Sequence, residues 1–210
     1  MSFFSSLFKT DTPARQLNHP EQLIVGDMIT LDDSFALPPH LRGQQLKVES
    51  INTYEYERSQ QTEWHLKGTG SHNLYLTLDK DEDVYLAFSL KITRSDVEQL
   101  FDLDTFSEIF EETSQTVLTV NSEHQCNDLT QWLGETYRRI KFAQQGFFHD
   151  KDYRNQNPPS DRGDEFENYF LIDDVEEHAI DIEVFDGGET DVSLILYRPL
   201  SDIRQYWPIS

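Results

Sequence analysis

Seven histidines, one cysteine and 39 acidic side chains are the groups of this 210-residue chain that could do chemistry. Metal binding wants His, Cys or carboxylate ligands at spacings that a turn or a strand can bring together. His149-Asp150-Lys151-Asp152 offers an imidazole and two carboxylates beside a Pro- and Asn-rich stretch, but no second ligand cluster accompanies it. Glu123-His124-Gln125-Cys126 offers one thiolate and one imidazole. No CxxC or HxxxH partner completes a zinc set, and nothing marks the pair as a Cys/His nucleophile. Asp79-Lys80-Asp81-Glu82-Asp83 has a calcium loop's acidity without its Asp-x-Asp-x-Asp-Gly order or distal Glu, so it reads as a solvated hairpin tip. Asp173–Glu177 and Glu108–Glu112 read as outward acidic faces. Gly187-Gly188 reads as a turn with positive φ, and no phosphate-cradling glycine loop, GxSxG or HExxH is present. Carboxylate pairs are too numerous for any one to mark an acid–base couple. No catalytic, cofactor-binding or metal-binding residue is assigned, and no cofactor is expected.

Charge narrows the partners. With 17 Lys+Arg against 39 Asp+Glu the net charge is −22. Such a surface repels nucleic-acid phosphates and anionic lipid. Basic proteins, divalent cations and polyamines stay open. The cations that exist concentrate at Tyr137-Arg138-Arg139-Ile140-Lys141, a cluster read as pairing with acidic runs of its own fold. The lone Cys126 allows no intrachain disulfide, which suits a cytoplasmic protein. No run approaches ~20 apolar residues, so no transmembrane helix is expected. Phe3, Phe4, Leu7 and Phe8 at the start could touch a membrane peripherally, but a staple over the core or a frayed tail is the preferred reading, for want of basic residues.

The elements that would position these groups are mostly strands. Residues 9–22 read as a linker broken by Pro13 and Pro20. Met28–Leu31, Leu46–Ile51 and Glu63–Leu66 read as strands. Leu74, Leu76 and Leu78, then Val84, Leu86, Phe88, Leu90 and Ile92, alternate as a hairpin with one buried and one wet face. Ser95-Asp96-Val97-Glu98 has capping-box form, and Val97, Leu100, Phe101, Phe106, Ile109 and Phe110 follow helical spacing. Val117–Val120 reads as a short strand and Asp128–Leu133 as a helix or loop. Glu165–Ile172 reads as a strand. Ile180, Ile182 and Val184, then Val192, Leu194 and Leu196, form a second alternating hairpin.

At a shift of about 106 residues, the second hairpin falls on the first, and Ser201-Asp202-Ile203 falls on Ser95-Asp96-Val97. The expectation is a sheet-rich α+β fold of two related antiparallel β units, a possible tandem duplication, each followed by short helical segments. Its bounds are a tail and linker (1–22), a first unit (23–113) and a second unit (114–210), with an inserted loop at 150–163.

The segment from Val25-Gly26-Asp27 through Glu63-Trp64-His65-Leu66 and Leu74–Leu78 resembles a small bacterial domain family of unknown function. The second half, with Tyr137-Arg138-Arg139 and Glu165–Leu171, is similar to a diverged copy or to the YjfK-like proteins. Those families are encoded beside phage-shock-type membrane-stress proteins, small multispanning membrane proteins and polyamine enzymes. The resemblance implies a soluble cytoplasmic accessory factor in envelope stress with no assigned catalytic residues. Three readings follow. The leading one is a non-enzymatic acidic module that binds a protein partner with a basic surface, in a groove between two units. The second is a carboxylate-based cation- or polyamine-binding protein or enzyme, which requires a pocket where Asp and Glu converge with raised pKa values. The third is a nucleic-acid mimic with carboxylates in rows at phosphate spacing. Oligomeric state is left open.

Overall fold

Alternation builds the strands, and the strands close into a barrel. A computed structural model describes residues 15–70, 72–80, 83–159 and 162–209. Among these the strands are β1 (Met28–Leu31), β2 (Gln45–Tyr56), β3 (Ser59–Lys67), β4 (Leu74–Lys80), β5 (Val84–Ile92), β6 (Val117–Thr119), β7 (Thr136–His149), β8 (Asp164–Asp173), β9 (His178–Phe185), β10 (Thr190–Pro199) and β11 (Ile203–Trp207). Two short helices, α1 (Arg94–Leu100) and α2 (Leu103–Ser107), follow β5.

Eight strands form a closed antiparallel barrel in the order β2-β3-β4-β5-β10-β9-β8-β7, with β7 returning to β2. Each half of the chain supplies one four-stranded meander. The meanders meet along two unequal seams. β5 and β10 pair from Ile92↔Val192 to Tyr85↔Pro199, eight residue pairs. β2 and β7 pair only from Thr53↔His149 to Tyr56↔Gly146, four pairs. Beyond the barrel, β1 and β11 extend the sheet from the first half of β2, and β6 pairs with the start of β7. β7 bulges between Arg139 and Lys141 and again between Lys141 and Gln144, and Ala143 takes φ 45°. At Gly146 a Cβ would lie 2.6 Å from Phe166 Cζ on the paired strand, so a larger residue there would force that ring to move.

The main apolar core lies outside the barrel. Leu74, Leu76, Phe88, Leu90, Ile180, Ile182 and Leu194 pack outward into one cluster with Leu23, Leu37 and Leu41 and with Val97, Leu100, Phe106 and Trp132. The helices and long loops are covers laid on this outer face. Other fastenings hold the covers. Trp64 Nε1 donates to the Leu23 carbonyl (3.2 Å), and Arg154 donates to the Leu23 and Glu21 carbonyls.

Several expectations are corrected. The fold is mostly β, an eight-stranded closed barrel with three further strands, not α+β with helices after each unit. The helical signal after β5 is real but short, because Asp102 leaves helical φ/ψ and caps α2 through the Thr105 amide (2.8 Å). After β10 there is a 3-10 turn and then β11, so the Ser-Asp-aliphatic triplets at 95 and 201 adopt different structures. The capping box of α1 also begins two residues earlier: Thr93 is the cap and Asp96 the reciprocating acid. The cavity is lined by both halves of the chain and lies within the closed sheet that they form. The described end of the expected linker is packed, with Arg15 bonded to the buried Asp27 carboxylate, which also accepts from the Ile24 and Ile209 amides. Phe3, Phe4, Leu7 and Phe8 lie outside the described residues.

Candidate functional site: the barrel lumen

The second face of every barrel strand points to a common cavity of about 460 Å³. Residues from all eight barrel strands line it, so it lies inside the closed sheet. Cross-strand pairs fix its layers. Tyr75 opposes Ser89, and Ser89 opposes Ile195. Ser193 opposes Asp181, Asp191 opposes Glu183, and Asn168 opposes Glu183 on the other flank. A second space of about 130 Å³ continues the lumen and shares Tyr54, Glu63, Ser89, Asp181 and Glu183 with the first.

Three carboxylates converge here. Glu63 and Glu183 are 7 % and 8 % exposed, and Asp181 is half-buried against the cavity it lines. Asn52 Nδ2 donates to Glu63 Oε1 at 2.9 Å, and Asn168 donates to Asp181. The Tyr54 hydroxyl lies 3.5 Å from Glu63 Oε2 and 3.3 Å from Glu183 Oε2. A phenol has one proton to give, so it can serve only one of these oxygens at a time. When it serves Glu183, Glu63 keeps the Asn52 donor; when it serves Glu63, Glu183 has no side-chain donor among the described residues, and burial then favours its protonated form or a cation beside it.

The titration of the group follows from that crowding. Burial raises the Glu63 carboxyl to about 7, and Asp181 adds repulsion against the pull of Asn52 and Tyr54. Burial pushes Glu183 well above the usual carboxylate range, helped by the charges of Asp181 and Glu63. Burial raises Asp181 too, with Asn168 and Lys141 opposing. Tyr54 is raised by burial and then by Glu63 and Glu183, so its phenol stays a donor at neutral pH. Two hydroxyls reinforce the picture. Ser89 and Thr77, 8 % and 9 % exposed, line the cavity, and among the described residues neither side chain hydrogen-bonds a protein group. They are polar atoms left for something other than protein.

Nearby cations are already engaged. Lys91 is pulled down by burial and held up by its ion pair with Asp191, and the pair prevails. Arg138 pairs with Asp174 and Glu176 at the mouth. Lys141 Nζ lies 4.9 Å over the Phe170 ring. Arg139 turns outward and donates to the carbonyls of Ile109, Glu111, Glu112 and Ser114, fastening the stretch after α2 to β7.

Of the groups singled out in the sequence, Asp79, Arg138, Lys141 and Glu176 border the lumen, and the others lie elsewhere. His149 is buried and bonded to Glu55 at 3.0 Å, while Asp152 pairs with Arg154. Cys126 is buried, 3.9 Å from Asp96 Oδ1. Asp79 stands at the lumen mouth. Asp173 is buried, not outward, and accepts from the Glu177 and His178 amides and the His178 ring across the β8–β9 turn. Gly187 and Gly188 have the positive φ expected of them.

One His/Asp group has metal-like proximity: His40, His72 and Asp128 each bring a ligand atom within 4.8 Å of the others. Trp132 Nε1 donates to His40 Nδ1 at 3.1 Å. An indole N–H only donates, so the neutral His40 ring carries its proton on Nε2. A metal on Nε2 would need a ring stripped of both protons, and one on Nδ1 would displace the indole. Ligating histidines normally donate from their second nitrogen. The donor set does not fit a metal centre in this arrangement.

The fold and site together define an antiparallel barrel with an acidic, polar lumen and an apolar exterior wrapped in its own chain. Compared with family models, with curated proteins and with solved structures, the chain matches none. No helix of the described residues is long and apolar enough to cross a membrane.

Proposed function

We propose that this is a binding protein for a small amine-bearing cation, taken into the barrel lumen. The observation that carries the reading is the convergence of three carboxylates on one lumen, Glu63 and Glu183 sharing one phenol proton and Asp181 held by Asn168, with no cationic side chain hydrogen-bonded to any of the three among the described residues. An ammonium group supplies the donors and the charge that this trio lacks. Ser89 and Thr77 offer further acceptors, and the rings of Tyr54 and Tyr56 line the same space. Among the expectations from sequence, this is the carboxylate-based cation or polyamine binder, and it accounts for more of the geometry than a protein-docking groove does. We place it in the cytoplasm, on its single, buried, free cysteine.

Calorimetric titration with 1-aminobutane and with spermidine tests the reading. Binding is expected with one ligand per chain and with proton uptake by the buffer, because a cation in the lumen drives protons off the carboxylates. Glu63→Gln should weaken binding at least tenfold. Amines that fail to bind, or that bind the variant equally, would remove the proposal.

A further inference from the structure

Resting on that reading, the geometry points to an elongated ligand: a linear diamine or polyamine whose two positive ends are separated by an alkyl spacer. The lumen is acidic twice, with an apolar stretch between. Its deep acid group is Glu63 and Glu183, joined through Tyr54, with Asp181 lining the same cavity. Its mouth holds Asp79, an exposed carboxylate that borders this cavity and two neighbouring spaces. Between them the wall changes character. Ala87, Ala179 and Ile195 form a small apolar cluster of their own, joined by Phe170, Ile172 and Tyr197. Most of these side chains line the cavity.

Register gives the distance. Trp64 opposes Leu76, so the next step of the register sets Glu63 of the deep group level with Thr77 on β4, and Thr77 opposes Ala87 of the apolar belt. Asp79 is two residues further along the same strand, about 7 Å towards the mouth. A four-carbon chain between two ammonium groups matches a step of that size. A compact ion such as magnesium would use the deep group alone and leave the apolar belt without a partner. One observation independent of the acids points to an occupant, and a second concerns the mouth acid itself. Ser89 and Thr77 are each more than nine-tenths buried as residues and line the cavity, and their hydroxyls find no protein partner among the described residues. The cations at the mouth do not neutralise Asp79: Arg138 is committed to Asp174 and Glu176, and Lys141 is over Phe170.

The test compares 1,4-diaminobutane with 1-aminobutane, equal in carbon chain and differing in one charge, on the full chain by calorimetry. The diamine should bind at least tenfold more tightly. Asp79→Asn, at an exposed position that leaves folding intact, should remove that advantage without changing 1-aminobutane affinity. Glu63→Gln should weaken both. Equal affinity for the two amines, an advantage that survives Asp79→Asn, or tighter binding of magnesium than of the diamine would overturn this inference and leave the lumen reading standing. Failure of both amines to bind would overturn the two together.

Discussion

Phe88, Ser89 and Leu90 are consecutive on β5, and they face two different environments. Phe88 and Leu90 are 0 % and 1 % exposed in the outer core, beneath the covering loops and helices. Ser89 points into the lumen beside Glu63, Glu183 and Asp181. The same division runs around the barrel: Leu76 and Thr77 on β4, Ile180, Asp181, Ile182 and Glu183 on β9. Most small barrels fill their interior with apolar side chains. Here the interior is lined by polar groups, and the hydroxyls of Ser89 and Thr77 have no protein hydrogen-bond partner among the described residues, while the apolar core lies on the outer face. Burial of three carboxylates costs free energy that the outer core must offset. A region kept at such cost is where binding chemistry is sought.

The comparison breaks most visibly by truncation. Leu90→Ala should cost about 2–5 kcal/mol, the usual range for emptying a fully buried leucine site. Ser89→Ala, one residue away, should cost less than about 1 kcal/mol, because its hydroxyl has no protein partner to lose. Urea unfolding of both variants measures the contrast. If the serine variant loses as much as the leucine variant, the inner face contributes to stability and the division of labour is wrong.

A second effect, of a few kcal/mol, is pH-dependent and confined to the inner face. The folded protein holds the Glu63 proton up to about pH 7, against 4.5 for a free glutamate. Its folded state therefore binds more protons than the unfolded state between those values. Stability from this group is full below 4.5 and is lost as pH rises to about 7. The unliganded protein should be more stable at pH 5 than at pH 8. General charge repulsion at −22 acts in the same direction, so the discriminating measurement is the difference between wild type and Glu63→Gln. That variant should show a flatter profile and higher stability at pH 8. Parallel profiles for the two proteins would show that Glu63 ionises no differently in the fold.

The outer half of this comparison was legible in the sequence. Leu74, Leu76 and Leu78, with their counterparts at 180–184, announced strands with one buried face. The alternation could not show that the other face was also enclosed, because a period of two marks two faces without saying which is wet. Thr77 and Ser89 look like solvent-facing residues until the sheet closes. Asp181 and Glu183 lay among 39 acids, and only the register with Asn168 and Ser193 sets them apart. β7 was missed altogether, although at 14 residues it is the longest strand. Two bulges interrupt its alternation, and Arg138, Arg139 and Lys141 hide its apolar content. Without β7 there is no seam to β2 and no barrel. The signal that was available was charge at inward phase: Lys91, Asp181, Glu183 and Asp191 sit within strands that are mostly apolar, whereas Glu63 lies in the polar strand β3 and carried no such mark.

The smallest expected effect lies where β7 crosses between the two regions. Ile140 and Lys141 both border the lumen, whereas Phe142 turns to Tyr169 and Ala143 packs against the outer core. Two neighbouring residues on one side require extra backbone, and the bulges supply it. Ala143 takes φ 45°, a conformation that costs an L-residue about 1 kcal/mol and glycine nothing comparable. Ala143→Gly should therefore stabilise by about 0.5 kcal/mol, after the loss of one methyl contact and the greater freedom of the unfolded glycine. Ala143→Val should destabilise by more than about 1 kcal/mol, since a β-branched residue tolerates this φ worst. Urea midpoints for the pair measure the sign. Should valine equal or exceed glycine, the bulge would not be held in this conformation, and the switch of β7 from lumen to outer core would need another cause.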